Sequence, residues 1–299
     1  MLLTIIQVLL IQLLLPACFL YMLWRAKINS KLEWGTLLVA TIMIITWLFL
    51  SGNWSWVSYY LRFVFPLLLV ITIFLSWKKI KHQKFEDTTQ HKARKFSIGV
   101  NVFLIIIFGL YNISAFSSFS IKDESIDLSF PLQNGVYYIG HGGSSTIMNY
   151  HHAYEPQQYA LDIVKLNKLG TRTKGLYPKD LEKYEIFQDP LYSPCNGTVV
   201  EVRDGLPDLI PPDSNPNEPE GNYVALECEQ NVVVYIAHML KESVSVEVGD
   251  TIQEGTKIGA VGNSGNTSEP HLHIHAEKNG VGVPIFFDDK FLTRNSLVW

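Results

Sequence analysis

Gly265-Asn266-Thr267-Ser268-Glu269-Pro270-His271-Leu272-His273-Ile274-His275 decides how the C-terminal half of this 299-residue chain is read. A strand alternates its faces with period two, so His271, His273 and His275 point the same way. Two imidazoles side by side on a rigid strand can share one metal ion, or one can ligate while its neighbour handles a proton. The Gly/Asn/Ser turn ahead of them ends in Pro270, which fixes the entry to the strand. Alone, a His-x-His pair fits a plain surface strand equally well. Asp162 and His238, each on a strand-like run of its own, give the pair partners.

Working outward, the second half of the chain is a series of short alternating runs. They include Val136–Ile139, Tyr159–Val164, Gly197–Val202, Tyr223–Cys228, Val232–His238 and Val244–Val246. Turn residues punctuate them at Asn196-Gly197, Gly249-Asp250 and Gly262-Asn263-Ser264-Gly265. Short strands with regular turns predict an all-β domain of antiparallel sheets, sandwich- or barrel-like. One helix is predicted near Lys179–Phe187. Two polar stretches, Lys165–Pro190 and Asp204–Glu220, read as insertions, and loops of that length are either functional or tolerated surface excursions.

The first half is different in kind. The chain is 47% hydrophobic, and the excess sits in Met1–Trp24, Trp34–Leu50, Val57–Trp77 and Ile98–Phe119. Each run is long enough to cross a hydrocarbon core of ~30 Å as a helix. The first lacks a basic start and runs on past Cys18, unlike a signal peptide or a lipidated one. Arg62 interrupts the third run beside Trp54, Trp56, Tyr59 and Tyr60, an aromatic belt at which its guanidinium can snorkel. No ionisable residue sits in the middle of a run, so nothing marks a transport path. Arg25, Lys27 and Lys31 make the first connection basic. Lys78, Lys79, Lys81, Lys84, Lys92, Arg94 and Lys95 do the same for the third, while the second carries no basic residue. By the positive-inside rule both termini then lie outside the cytoplasm. The expected organisation is a four-span membrane region over 1–119, a linker over 120–132 and an extracytoplasmic β domain over 133–299.

Bulk numbers exclude some classes. A net charge of −4 offers no electrostatic footprint for a nucleic acid. Three cysteines, one of them in an apolar run, make no disulfide framework. Cys195 and Cys228 can pair only if their strands are neighbours.

A catalytic zinc site keeps three protein ligands and one open position. Asp162 and His273, with one imidazole from Asn149-Tyr150-His151-His152, supply such a set, and neutral imidazoles with a carboxylate suit zinc. His238 and His271 remain nearby for proton handling. His141 is left as a loop residue and His275 as a rim or supporting residue.

Several further stretches, in order, carry a family likeness: Asp189–Val200, Gly221-Asn222-Tyr223-Val224, Tyr235–Met239, Val248–Ile252, Gly255–Gly265 and Pro270-His271-Leu272-His273. With these the β domain resembles the lysostaphin-type zinc metallopeptidases, which cut peptide cross-links in bacterial cell walls. The resemblance implies Zn2+ as cofactor, His273 and Asp162 as ligands, and His238 and His271 as the catalytic pair. It also implies peptidoglycan peptides as substrate. In the family's usual pattern the first ligand precedes the Asp by only a few residues, whereas here ten residues separate His151 from Asp162. Family variants with an Asn-x-His stretch well before the Asp strand favour His151 over His152. The expected protein is a membrane-anchored zinc endopeptidase acting on peptidoglycan. The alternatives are a catalytically inactive wall-binding or regulatory module of the same fold, and a membrane sensor whose spans do the work.

Overall fold

The computed structural model describes residues 2–83, 85 and 91–299. Met1 of the first apolar run and Lys84 of the basic third connection lie outside the described residues. The chain divides into two compact units, one of Leu2–Trp54 and Ser58–Phe116, the other of Ser55–Val57 and Ser117–Trp299.

The first unit is helical: α1 (Leu2–Val8), α2 (Leu15–Arg25), α3 (Lys31–Ser51), α4 (Leu61–Lys81) and α5 (His91–Ser117), with a π-helical turn over Leu9–Leu14 joining the first two. Among the described residues, four helical stretches are long and apolar enough to cross a membrane: Ile5–Arg25, Lys31–Ser51, Leu61–Lys81 and Lys92–Ser117. The start of α3 is set locally. Ser30 Oγ accepts from the Glu33 amide at 3.1 Å, which the helix leaves unpaired, and the Glu33 carboxylate accepts from the amide of Asn29, just ahead of the cap, at 2.8 Å. Arg62 bonds through Nε to the Phe49 carbonyl at 2.7 Å and lies 4.1 Å over the Phe49 ring. Its charge is thereby met at the end of α3. Asn112 of α5 donates to the Met43 carbonyl of α3 at 2.9 Å, a polar pin of the kind that holds apolar helices in register.

The second unit is a β domain. Its strands are β1 (Ile126–Leu128), β2 (Val136–His141), β3 (Leu161–Leu166), β4 (Pro190–Tyr192), β5 (Gly197–Arg203), β6 (Tyr223–Glu227) and β7 (Val233–Ala237), followed by β8 (Thr251–Ile252), β9 (Lys257–Ala260), β10 (Leu272–Lys278), β11 (Val281–Val283), β12 (Ile285–Phe287), β13 (Lys290–Phe291) and β14 (Leu297–Val298). A nine-stranded sheet runs β14-β2-β3-β10-β7-β6-β5-β8, with β11 added to β10. Its pairings are antiparallel. Smaller sheets are β1-β12-β13 and β4-β9, and β1 with β12 is parallel.

Within the segment expected to be a linker, Ile126 and Leu128 are buried in the main core and their strand pairs with β12. The helix expected near Lys179–Phe187 is a single 3-10 turn, Leu181–Lys183. The Asp180 side chain caps that turn by accepting from the Glu182 amide, and Tyr184 then bridges to Thr173, so the backbone leaves the helical path at once.

β10 is central. One face carries Leu272, Ile274 and Ala276 into a core shared with Ile163 of β3, Ile236 of β7 and Leu226 of β6. Ile274 is fully buried, so Ile274→Ala removes about 2–5 kcal/mol of stability through lost burial and a residual cavity. Denaturant unfolding of the β domain in detergent-solubilised chain is expected to show that loss. The Cys195–Cys228 disulfide, with Cα atoms 6.1 Å apart, brackets the β5–β6 pair, where Thr198 faces Glu227. Closing a loop of 33 residues removes unfolded-state freedom equivalent to about 3–4 kcal/mol.

Candidate metal centre

Register brings the site together. β10 pairs with β3 so that His273 faces Asp162, and with β7 so that His273 faces Ala237, the residue before His238. Three sequence-distant runs therefore meet at one level of the sheet, on the face opposite Ile274.

The first candidate ligand arrives by an extra turn. The residues between β2 and β3 fold into two 3-10 turns, Tyr150–Ala153 and Glu155–Gln157. Asn149 fastens this excursion. Its fully buried side chain donates to the Ala160 carbonyl at 2.9 Å and accepts from the His151 amide at 3.2 Å. The ten-residue spacing is thus folded back on itself, and His151 Nε2 lies 3.0 and 3.1 Å from the two Asp162 oxygens. His152 points elsewhere, with Nδ1 3.1 Å from the Gln158 carbonyl.

His273 Nδ1 lies 3.0 Å from Asp162 Oδ1, and His271 Nε2 lies 3.5 Å from the same oxygen. Among the described residues two overlapping groups, His151/Asp162/His273 and His238/His271/His273, each keep their donor atoms within 4.8 Å of one another. Asp162 is buried, and burial alone would raise its pKa. The charges and hydrogen bonds of His151 and His271 outweigh that and hold the carboxyl well below the usual range. Burial drives His273 down to about 4, with the Asp162 hydrogen bond only a partial offset. His238 is likewise pushed well below its ordinary value, first by burial and then by its imidazole neighbours. Burial opposes charging of His271 too, but there Asp162 prevails and its pKa is raised.

Backbone carbonyls fix which nitrogen of the catalytic candidates carries hydrogen. A carbonyl can only accept, so His238 Nδ1 donates to the Ser264 carbonyl at 2.9 Å and His271 Nδ1 to the Glu269 carbonyl at 2.9 Å. In the neutral imidazoles both Nε2 atoms then carry lone pairs. His238 takes a left-handed backbone with φ of 59° at the end of β7, a region where His is enriched over most residues. Its amide donates to the Glu220 carbonyl at 2.9 Å and its carbonyl accepts from Gly262 at 3.0 Å. Gly221, at φ of 65°, lies against the Ser264 carbonyl, and a Cβ there would collide with it. The glycine of Gly221-Asn222 therefore protects the bond that orients His238.

Other groups around the site carry weak sequence signals or none. Tyr150 packs its ring 4.0 Å from that of His151, and His141 meets Tyr150 edge-on at 4.6 Å. His141 is the end of β2, faces Asp162 in register, and its Nδ1 accepts from Arg294 at 2.7 Å. Burial and Arg294 push its pKa well down. Arg294 lies in the C-terminal segment, far from any motif. Arg172, from the Lys165–Pro190 insertion, forms a buried ion pair with Glu269 in the turn before His271. Asp208, from the Asp204–Glu220 insertion, accepts from the Asn263 and Lys241 amides. Both insertions thus brace the turns that present the histidines.

A groove of about 340 Å³ opens over His151, His238 and His273. Tyr150, Tyr154 and Gln157 line it from the turn region, and Pro219 and Glu220 from the second insertion. The groove, the convergent donors and the lone pairs directed into the cluster suit a metal-assisted reaction on a bound chain. The donor set of two imidazoles and a carboxylate, largely buried and supported by further hydrogen bonds, fits zinc.

Comparison with solved structures gives likenesses at low identity. A zinc-containing peptidase from Vibrio cholerae is 18% identical over 53% of this chain and 39% of its own, with a TM-score of 0.31. A putative M23 peptidase from Pseudomonas aeruginosa is 19% identical over 60% of this chain and 57% of its own, with a TM-score of 0.31. The catalytic domain of lysostaphin from Staphylococcus simulans is 21% identical over 37% of this chain and 83% of its own, with a TM-score of 0.25. The chain therefore spans less than two thirds of the length of the first two. Residues 184–284 match Peptidase family M23, a stretch that holds His238, His271 and His273 and begins after His151 and Asp162. Over residues 184–284 the chain is thus similar to Peptidase family M23.

Proposed function

We propose that the protein is a membrane-anchored zinc endopeptidase that hydrolyses peptide bonds in peptidoglycan stem peptides or cross-bridges. One observation supports it most. Asp162, His151 and His273 converge in a buried cluster beside a groove, and two further imidazoles, His238 and His271, turn lone pairs into the same space. In this reading His151, Asp162 and His273 hold the zinc, which supplies Lewis acidity toward a scissile carbonyl and toward water.

The chain's own groups do the rest. His271 Nε2, 3.5 Å from Asp162 Oδ1 and so beside the ligand cluster, takes the proton of the attacking water. The Glu269 carbonyl, bonded to Nδ1, keeps that imidazole in the tautomer that can accept. The same Nε2 then returns the proton to the departing amine. His238 Nε2 presents a second lone pair that orients water within the groove. Tyr150 and Tyr154 on one wall and Glu220 on the other hold the peptide across the cluster.

The basic first and third connections between the apolar helices favour a topology with both termini outside the cytoplasm, on the side where the wall lies. On this reading residues 1–119 are the four-span anchor, 120–132 the connection and 133–299 the extracytoplasmic catalytic domain.

Full-length chain in detergent, loaded with zinc, is expected to release soluble peptides from purified cell wall. A chelator stops the release, zinc restores it, and His273→Ala abolishes both zinc retention and release. Zinc-loaded wild-type chain that binds wall but frees no peptide would replace the proposal with the inactive binding module.

A further inference from the structure

β10 carries a third histidine beyond the pair in the Pro270–His273 stretch. His275 is 4% exposed, and its Nδ1 lies 3.0 Å from His273 Nε2, the nitrogen on the far side of the ring from Asp162. Its ring lies flat on Tyr235, with centroids 4.8 Å apart and planes 5° from parallel. Tyr235 is its register partner on β7. Three side chains thus stand in line, Asp162 to His273 to His275, and Tyr235 fixes the plane of the last.

We propose that His275 is a positioning residue: it fixes the orientation and tautomer in which His273 offers Nδ1 to a metal. The inference rests on the reading of His151, Asp162 and His273 as zinc ligands.

The nitrogen chemistry leaves few alternatives. Each neutral imidazole has one N–H and one lone pair. When His273 Nδ1 donates to Asp162, its Nε2 must accept, and His275 Nδ1 is the donor. When His273 Nδ1 gives its lone pair to a cation, Nε2 bears the hydrogen and His275 Nδ1 must accept. The 3.0 Å contact is satisfied in both arrangements because an imidazole can exchange donor for acceptor at the same atom. A ligating histidine most often has a carboxylate, a carbonyl or a water behind it. Carboxylate and carbonyl only accept, so they would serve the metal-bound state and oppose the other. Glu277 does not take this part, since it lies two positions further along β10 and faces Val233.

Zinc affinity of the detergent-solubilised full chain, measured by chelator competition, tests this without recourse to turnover. His275→Phe keeps a ring against Tyr235 and removes the nitrogen, and its zinc affinity is expected to fall about 10–100-fold. His275→Gln supplies an oxygen that can accept and an amide that can donate, and is expected to recover most of the loss. Wild-type affinity in His275→Phe, or equal losses in the two variants, overturns the proposal. A wild-type chain that binds no zinc overturns it together with the ligand assignment. A second measurement needs no variant. Histidine 15N shifts of the wild-type chain are expected to show the hydrogen of His275 moving from Nδ1 to Nε2 when zinc is added, and a hydrogen that stays on Nδ1 overturns the proposal.

Discussion

Asp162→Asn is expected to lower zinc affinity by more than about 100-fold, beyond the range typical of residues that only support a ligand, and to remove peptide release with it. Asp162 is the common partner of the cluster: His151, His271 and His273 all approach its carboxylate, at 3.0 to 3.5 Å. Asparagine keeps the shape and one acceptor oxygen but removes the negative charge. That charge is what makes a set of two neutral imidazoles and one carboxylate attractive to a dication. The substitution also sets an amide nitrogen, a donor only, against imidazole nitrogens. Unfolding of the metal-free variant is the control, because the buried Asp162 carboxylate also bonds His151 and His273. Chelator competition and wall-peptide release, measured on the same preparation, check the two halves of the expectation. Wild-type zinc affinity in Asp162→Asn would remove it from the ligand set.

His271→Ala separates ligation from proton transfer. Its Nε2 lies near Asp162 without sharing the His151/Asp162/His273 set. Zinc affinity is therefore expected to stay within a few-fold of wild type, while release falls about 10²–10⁴-fold, the usual contribution of a positioned acid–base group. The fall should appear in kcat more than in KM, since His271 acts on the proton and not on the bound peptide. Loss of zinc in this variant would instead assign the metal to the His238/His271/His273 group. Retention of full release would remove His271 from the proton path. Either result is read from one zinc titration and one rate.

How much of this was legible in the sequence differs from residue to residue, for physical reasons. His273 and His271 were readable because strand periodicity is local: two residues apart means one face, whatever the rest of the chain does. Asp162 was readable as a lone carboxylate within an apolar run, and His238 as the polar end of one. His151 was ambiguous, because its reach depends on Asn149 folding ten residues into two short turns. A hydrogen bond from a side chain to Ala160 leaves no periodic trace. The short strand Ile126–Leu128 was hidden in an acidic stretch, since three residues are too few to show alternation. The turn at Leu181–Lys183 looked like the start of a longer helix because charge and composition are the same at the first turn of either. Arg294 and the carbonyls of Ser264 and Glu269 carry no signal at all, since what matters is where the backbone passes. The helical half was the easier reading, because length and apolarity alone decide whether a helix can span.

The backbone at His238 has a bearing on how the site should be dissected. Its left-handed conformation, clasped by Glu220 on one side and Gly262 on the other, is one that asparagine tolerates better than alanine. An alanine scan at that position therefore measures two things at once, the missing ring and a main chain pressed into a shape its new side chain resists. Exchange for asparagine keeps the bend comfortable and isolates what the imidazole contributes, so it is the sounder probe of this residue.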